Sequence, residues 1–158
     1  MRRTHLADCA RLYADVFNRA PWNGKWTATT AAKHIRESFR DPNFRGIVAV
    51  EKGVALGFAY GVVQQWENER RFYLKEMCVL GGKQRGGVGT QLLTYLMERL
   101  EAENVSQVSV GTERDTPAKF FYRRLGFKIQ PKIIIMTKRM HPPGMKESRL
   151  DDESRLRL

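Results

Sequence analysis

The sequence predicts one α/β domain, a mixed sheet flanked by helices. Three observations carry this. Two segments with helical spacing come first, and three with strand character follow. After them strands and helices alternate, which argues for parallel pairing across an intervening helix. Between an apolar strand and an amphipathic helix lies a loop, residues 81–89, with five glycines in nine positions. At 158 residues and 42% hydrophobic, the chain suits a single folded domain with a real core.

In "LADCARLYADVFN" the residues Leu6, Cys9, Ala10, Leu12, Tyr13, Val16 and Phe17 share one helical face, so a first helix is expected over about residues 4–18. "RAPWNGKW" breaks it at Pro21 and Gly24. Thr27 is placed to cap a second helix reaching about Phe39, which "DPN" ends. "RGIVAVE" and "ALGFAYGVVQQ" read as strands joined by Lys52 and Gly53. "RFYLKEMCVL" is a third strand, whose alternation breaks near Glu76 and Met77 as at a bulge. The glycine loop follows, then a helix with Leu92, Leu93, Leu96 and Leu100 inward. "VSQVSVGT" is a strand. "TPAKFFYRRLGF" is a short helix with Pro117 in its first turn and Gly126 as its stop. "KIIIMTKRM" completes the order ααβββαβαβ as a last strand. The domain is expected over residues 1–140, with a polar, mobile tail over 141–158.

The formal net charge of +11 implies attraction to anions, whether nucleic acid, a membrane surface or a phosphorylated cofactor. The excess is partly local: residues 119–139 hold seven basic side chains and no acidic one. Cys9 and Cys78 cannot build a disulfide scaffold, and no Cys/His cluster suggests a metal. His5, His34 and His141 show no ligand spacing and receive no role. The two cysteines fit a reducing cytoplasm. The N-terminus lacks the apolar run of a secretory signal, and no stretch approaches the roughly 20 apolar residues of a membrane span, so no membrane partner is expected.

The glycine loop suits phosphate. The first N–H groups of a helix lack intrahelical partners, and the peptide dipoles favour an anion there. Glycines let the backbone come close, and Lys83 and Arg85 add positive charge. The loop is not GxxxxGK[ST], and Gly87-Val88-Gly89 lacks the third glycine of a dinucleotide fingerprint. Glu76 interrupts the apolar run just before the loop. A carboxylate there is partly desolvated and so becomes a stronger base. Trp22 and Trp26 lie in the loop between the first two helices, and Trp66 and Glu67 end a strand; the four could form a cage for a cationic amine. Cys78 reads as a buried, inert thiol.

"QRGGVG" matches Q/R-x-x-G-x-G/A at Gln84, Gly87 and Gly89. Downstream, "DTPAKFFYRRLGF" matches N-x-x-A-x-x-x-Y-x-x-x-G-F at Ala118, Tyr122, Gly126 and Phe127. In this, roughly residues 4–139 resemble the GCN5-related N-acetyltransferases (GNAT). Two departures stand out. Asp115, at a position the resemblance assigns to cofactor binding, replaces the usual Asn; a side-chain amide contact to cofactor or substrate is thereby lost or altered, while a helix cap stays open to it. The family's first strand is missing or very short.

The resemblance implies the GNAT fold, with its sheet splayed in a V at the cofactor, and acetyl-CoA as donor to a primary amine. It implies that Gln84, Arg85, Gly86, Gly87, Val88, Gly89 and Thr90 hold the pyrophosphate. It sets the backbone of Met77, Cys78 and Val79 along the pantetheine arm and a backbone N–H near Val79 on the oxyanion. Tyr122 is the implied acid for the leaving sulfur, with Glu76 as base. Transfer is direct, without a metal, and a homodimer is within the family's range. The acceptor is expected to be a small amine, such as an aminoglycoside-like antibiotic, a polyamine or an amino-acid derivative. The alternative is a protein N-terminus or lysine. A non-catalytic, basic nucleic-acid-binding domain is a distant third: no recognition module is present, so nucleic acid is not an expected partner.

Overall fold

The computed structural model describes residues 1–138 and residue 140. A single 3-10 turn at Arg3–His5 leads into α1 (Leu6–Phe17), followed by α2 (Ala28–Phe39), β1 (Phe44–Glu51), β2 (Val54–Trp66) and β3 (Glu69–Val79). A second 3-10 turn, Gly81–Lys83, precedes α3 (Val88–Ala102), β4 (Val105–Val110) and α4 (Pro117–Arg124). Thr27 caps α2 as expected. Its hydroxyl accepts the Thr30 N–H at 3.1 Å, and Thr30 Oγ1 accepts the Thr27 N–H at 2.9 Å.

The sheet runs β1-β2-β3-β4, with β1/β2 and β2/β3 antiparallel and β3/β4 parallel across α3. Its two faces bury separate cores. Phe58, Tyr60 and Cys78 pack against Cys9, Tyr13, Ala31 and Ile35 of α1 and α2. Ala59, Val63, Phe72 and Leu74 pack against Leu93, Leu96 and Leu100 of α3 and Tyr122 of α4. Each fully buried Leu or Phe contributes about 1.5–3 kcal/mol of hydrophobic stabilisation, which holds both helical layers to one sheet.

A register shift explains the broken alternation of the third strand. Tyr60 pairs with Glu76 and Gly61 with Leu74, so Lys75 is the extra residue of a bulge. Before it, the even positions Phe72 and Leu74 face α3; after it, Met77 faces that side and Cys78 faces α1. The bulge therefore turns Glu76 away from the α3 core and towards α1 and α2. Gly61 is needed opposite it, because a Cβ there would lie 2.0 Å from the Tyr73 carbonyl oxygen.

The β3–β4 ladder stops at Leu74↔Val110, next to the bulge. From Lys75 to Val79, β3 keeps β2 as a neighbour and has no ladder partner on its β4 side among the described residues. The ladder ends where β4 itself ends, which leaves the stretch of β3 that the expected V would open. β1 is an edge strand, as expected if the family's first strand is missing or short, and a cavity of about 710 Å³ lies between β1 and α3.

The regular elements all lie in one compact unit, Met1–Phe127. The expected last strand is not formed. Residues 128–138 and 140, described as part of a second unit, have no helix or strand among them. Ile133, Ile134, Ile135 and Met136 are exposed, and among the described residues of this segment one turn bond, Ile133 N–H to Gln130 O at 3.3 Å, is made. An apolar β-branched run without a neighbouring strand lacks the ladder bonds that hold the extended state. The tail expected over 141–158 lies outside the described residues.

Candidate active site

Two parts of the first unit meet at the C-terminal half of β3. One is the loop that follows it. Leu80 N–H bonds Leu56 O at 2.8 Å, and Gln84 Nε2 donates to Val79 O at 3.0 Å, closing the loop on the strand it leaves. Lys83 is paired with Glu51 at 2.9 Å, leaving Arg85 as the loop's cation without an ion pair among the described residues. Gly87 has φ +85°, the left-handed region where a Cβ is strained. The first bond of α3 runs from Gln91 N–H to Gly87 O at 3.0 Å. The N–H groups of Val88, Gly89 and Thr90 precede it and have no intrahelical acceptor. Residues 81–87 are exposed. At Gly89, in the first turn of α3, a Cβ would make ordinary contact with Phe121 and Met77 at 3.4 and 3.5 Å.

The other part is the face carrying Glu76. Its carboxylate is bonded to His34 Nε2 of α2 at 2.7 Å, and the Tyr13 hydroxyl of α1 interacts with the same group. The Glu76 side chain is 17% exposed and that of His34 36%. Burial pushes the Glu76 carboxyl above its ordinary range, while the bond and charge of His34, then Tyr13 and Lys75, pull the other way. Trp26 completes the wall, edge-on to Tyr13 at 5.0 Å and 5.3 Å from His34. Asn18 holds it by accepting the Trp26 N–H at 2.7 Å and donating to its carbonyl at 2.8 Å. Trp22 reaches the rim, 38% exposed and against Phe17 at 5.2 Å.

Tyr122 of α4 is buried against Phe121 and Phe127. Burial first, and the Glu76 charge second, push its phenol up to about 12. Cys78 is enclosed between the sheet and α1, its thiol held neutral by burial, as expected of an inert residue.

The candidate cage is not assembled as expected. Trp66 and Glu67 sit at the β2–β3 turn, where Trp66 pairs with Glu69, while Glu76 pairs with Tyr60. Six residues of strand, roughly 20 Å, separate them from Glu76. Arg71 stacks over the Trp66 ring at 4.8 Å. Asp115 does not cap α4: the cap position is Thr116, whose hydroxyl donates to Glu113 O at 3.0 Å. An aspartate one residue before the cap is too early to reach the free N–H groups. His34 and Tyr13 were missed, because a lone histidine and a tyrosine on apolar helix faces carry no signal until the helices are docked.

Residues 7–127 match the acetyltransferase (GNAT) family. The chain belongs to this family. GNAT membership makes it an N-acetyltransferase with coenzyme A as acyl carrier. Solved structures agree on the fold. The aminoglycoside N-acetyltransferase AAC(6')-Iy in complex with CoA is 21% identical, with a TM-score of 0.71, 89% of this chain covered and 92% of that one. A transcriptional regulator from Bacillus halodurans C-125 is 18% identical at a TM-score of 0.72, covering 87% and 96%. The aminoglycoside 6'-N-acetyltransferase AAC(6')-IG from Acinetobacter haemolyticus is 15% identical at 0.69, covering 89% and 97%. No curated protein matches the chain in sequence.

The GNAT cofactor fits the residues present. A Cβ at Gly82 or Gly87 would meet nothing within 4 Å, so backbone N–H groups stand open to a pyrophosphate beside Arg85. The unpaired β4-side edge of Met77, Cys78 and Val79 offers main-chain groups to an extended amide arm. No group of three or more His, Cys, Asp or Glu able to hold a metal is found among the described residues. No helix among them is long and apolar enough to cross a membrane.

Proposed function

We propose that this protein acetylates the primary amine of a small molecule, with Glu76 as general base. The observation that carries this is the Glu76 carboxylate, turned by the bulge to the face where His34 bonds it and Tyr13 and Trp26 pack on His34, beside the part of β3 that lies beyond the β3–β4 ladder. Acetyl-CoA would supply an activated acyl group as a thioester. Gln84, Arg85, Gly86, Gly87, Val88, Gly89 and Thr90 would hold its pyrophosphate, and the backbone of Met77, Cys78 and Val79 its pantetheine arm. An alkylammonium of pKa about 10.4 is free amine to about one part in a few thousand at pH 7, so a base in reach is a large part of the catalysis. Desolvation makes Glu76 a better base than an exposed carboxylate, and an N–H near Val79 would meet the developing oxyanion.

Tyr122 would face the leaving sulfur. A phenol at about 12 lies well above an ordinary thiol near pKa 8.5, so it stabilises the sulfur by donating a hydrogen bond and keeps its proton. The acceptor would rest its apolar body on Trp26 and Trp22. Aminoglycoside acetyltransferases among the structural neighbours, one bound to a CoA–acetylneamine bisubstrate analogue, support a small amine. Charge favours an acceptor with few cationic groups over a polycation: Asp8 and Asp15 of α1 are paired with Arg11 and Arg19, and the protein is strongly basic. A protein N-terminus or lysine is the second reading, favoured by the rim exposure of Trp22. We place the protein in the cytoplasm, on the support of two free cysteines and a metabolic cofactor.

The test is a screen of amines and peptides that follows CoA thiol release. A low-molecular-weight amine is expected to give the highest kcat/KM. A peptide N-terminus or lysine turned over faster than every small amine would overturn the assignment.

A further inference from the structure

Glu76 alone is an incomplete base. A carboxylate that is largely enclosed must discharge its proton before the next turnover, and its own contact with water is small. His34 is bonded to it and is about twice as exposed. We propose that His34 is the outlet for the proton that Glu76 removes, passing it from the recess to solvent. This rests on the reading of Glu76 as base. His34 does not touch the reacting atoms; it acts through Glu76.

The geometry suits a relay. Nε2 faces Oε1 at 2.7 Å, within the range of a charge-assisted hydrogen bond. The imidazole is held in place by Tyr13 at 5.5 Å and Trp26 at 5.3 Å, and α2 is anchored beneath it by the fully buried Ala31 and Ile35. The protons balance. The substrate ammonium loses an N–H proton to Glu76, and the carboxylic acid so formed gives it to the Nε2 lone pair. The imidazolium releases its Nδ1 proton to water, leaving an anionic Glu76 and a neutral His34 with its proton on Nε2; exchange with water moves that proton back to Nδ1 before the next turnover, and the second proton of the amine leaves on the thiol of CoA. The other groups on the Glu76 side of the sheet are Tyr13 from α1, Tyr60 from β2 and Cys78 from β3, with the Lys75 charge next to it in β3; Tyr122 from α4 lies in the core on the opposite face. Burial holds the three tyrosines and the thiol neutral, so none of them can carry the proton onward.

The experiment compares His34→Gln, His34→Ala and Glu76→Gln on an acceptor found by the screen. His34→Gln keeps a hydrogen-bond donor and removes the relay. It should lower kcat by about tenfold or more, change the pH profile of kcat, and leave acetyl-CoA affinity unaltered. Added imidazole should restore His34→Ala in proportion to its concentration, which a purely structural role would not allow. In the unliganded protein, imidazole nitrogen NMR should find Nε2 in a hydrogen bond that Glu76→Ala removes. Wild-type kcat and pH profile in His34→Gln, or a slow His34→Ala without rescue, would overturn the relay while leaving Glu76 as base. A fully active Glu76→Gln would remove the base reading and the relay with it.

Discussion

The loop at residues 81–90 and the Glu76 recess are adjacent in space and built on opposite plans. The loop is one continuous stretch whose candidate ligands are backbone N–H groups, made available by glycine dihedrals and a helix end. The recess draws side chains from α1, the α1–α2 loop, α2 and β3, with His34 and Glu76 separated by 42 positions. A backbone site tolerates many side chains as long as the dihedrals are kept. A side-chain site depends on how separate elements dock. The loop should therefore govern cofactor affinity, and the recess acceptor use and rate.

The largest expected effect is on the recess. Glu76→Gln keeps the shape and removes the base, and kcat should fall about 10²- to 10⁴-fold with acetyl-CoA affinity unchanged by calorimetry. A parallel loss of cofactor binding would mean that the two regions are not separable. Next, Trp26→Leu keeps apolar volume and loses the ring, and should raise acceptor KM by about tenfold while acetyl-CoA still binds. On the other side, Gly87→Ala places a Cβ at φ +85°, a strain of about 1–2 kcal/mol. It should weaken acetyl-CoA several-fold and leave acceptor preference alone.

A smaller effect concerns stability. The Glu76 carboxyl is raised in the folded protein, so between the usual 4.5 and that raised value the folded state holds a proton the unfolded chain has lost. The stability from this site is fully present below 4.5 and is lost as pH rises through the raised value. Glu76→Gln removes that dependence. Its Tm should exceed that of the wild type at neutral pH, with the gap closing in acid. The smallest effect is at the far turn: Trp66→Ala should leave acceptor KM within about twofold, because roughly 20 Å of strand separates it from Glu76. A larger change would return the β2–β3 turn to the acceptor site.

Much of the form of the glycine loop was legible because its signals are local. The glycine spacing, the following amphipathic face of α3 and the break in alternation near Glu76 each sit within a few residues of what they specify. The bulge was legible as a broken pattern; its consequence, which face Glu76 occupies, was not. The acceptor side failed where it needed distances. Trp26 and Trp66 look equivalent as exposed-prone aromatics; only the docking of α1 and α2 packs Trp26 on Tyr13 and His34, and only the β2–β3 pairing puts Trp66 at a remote turn. The residues 132–140 run has strand composition, but pairing is a property of neighbours, and its described part has none.

By itself, then, the chain determined the family, the sheet-and-helix order through α4, and the loop suited to coenzyme A, because periodicity, caps and glycine dihedrals act over one or two turns. Tertiary structure alone decided that His34 and Tyr13 meet Glu76, that Trp66 does not, and that the β3–β4 ladder ends at Leu74. Those outcomes follow from packing α1 and α2 on a sheet whose one extra residue, Lys75, turns the next side chain to the other face.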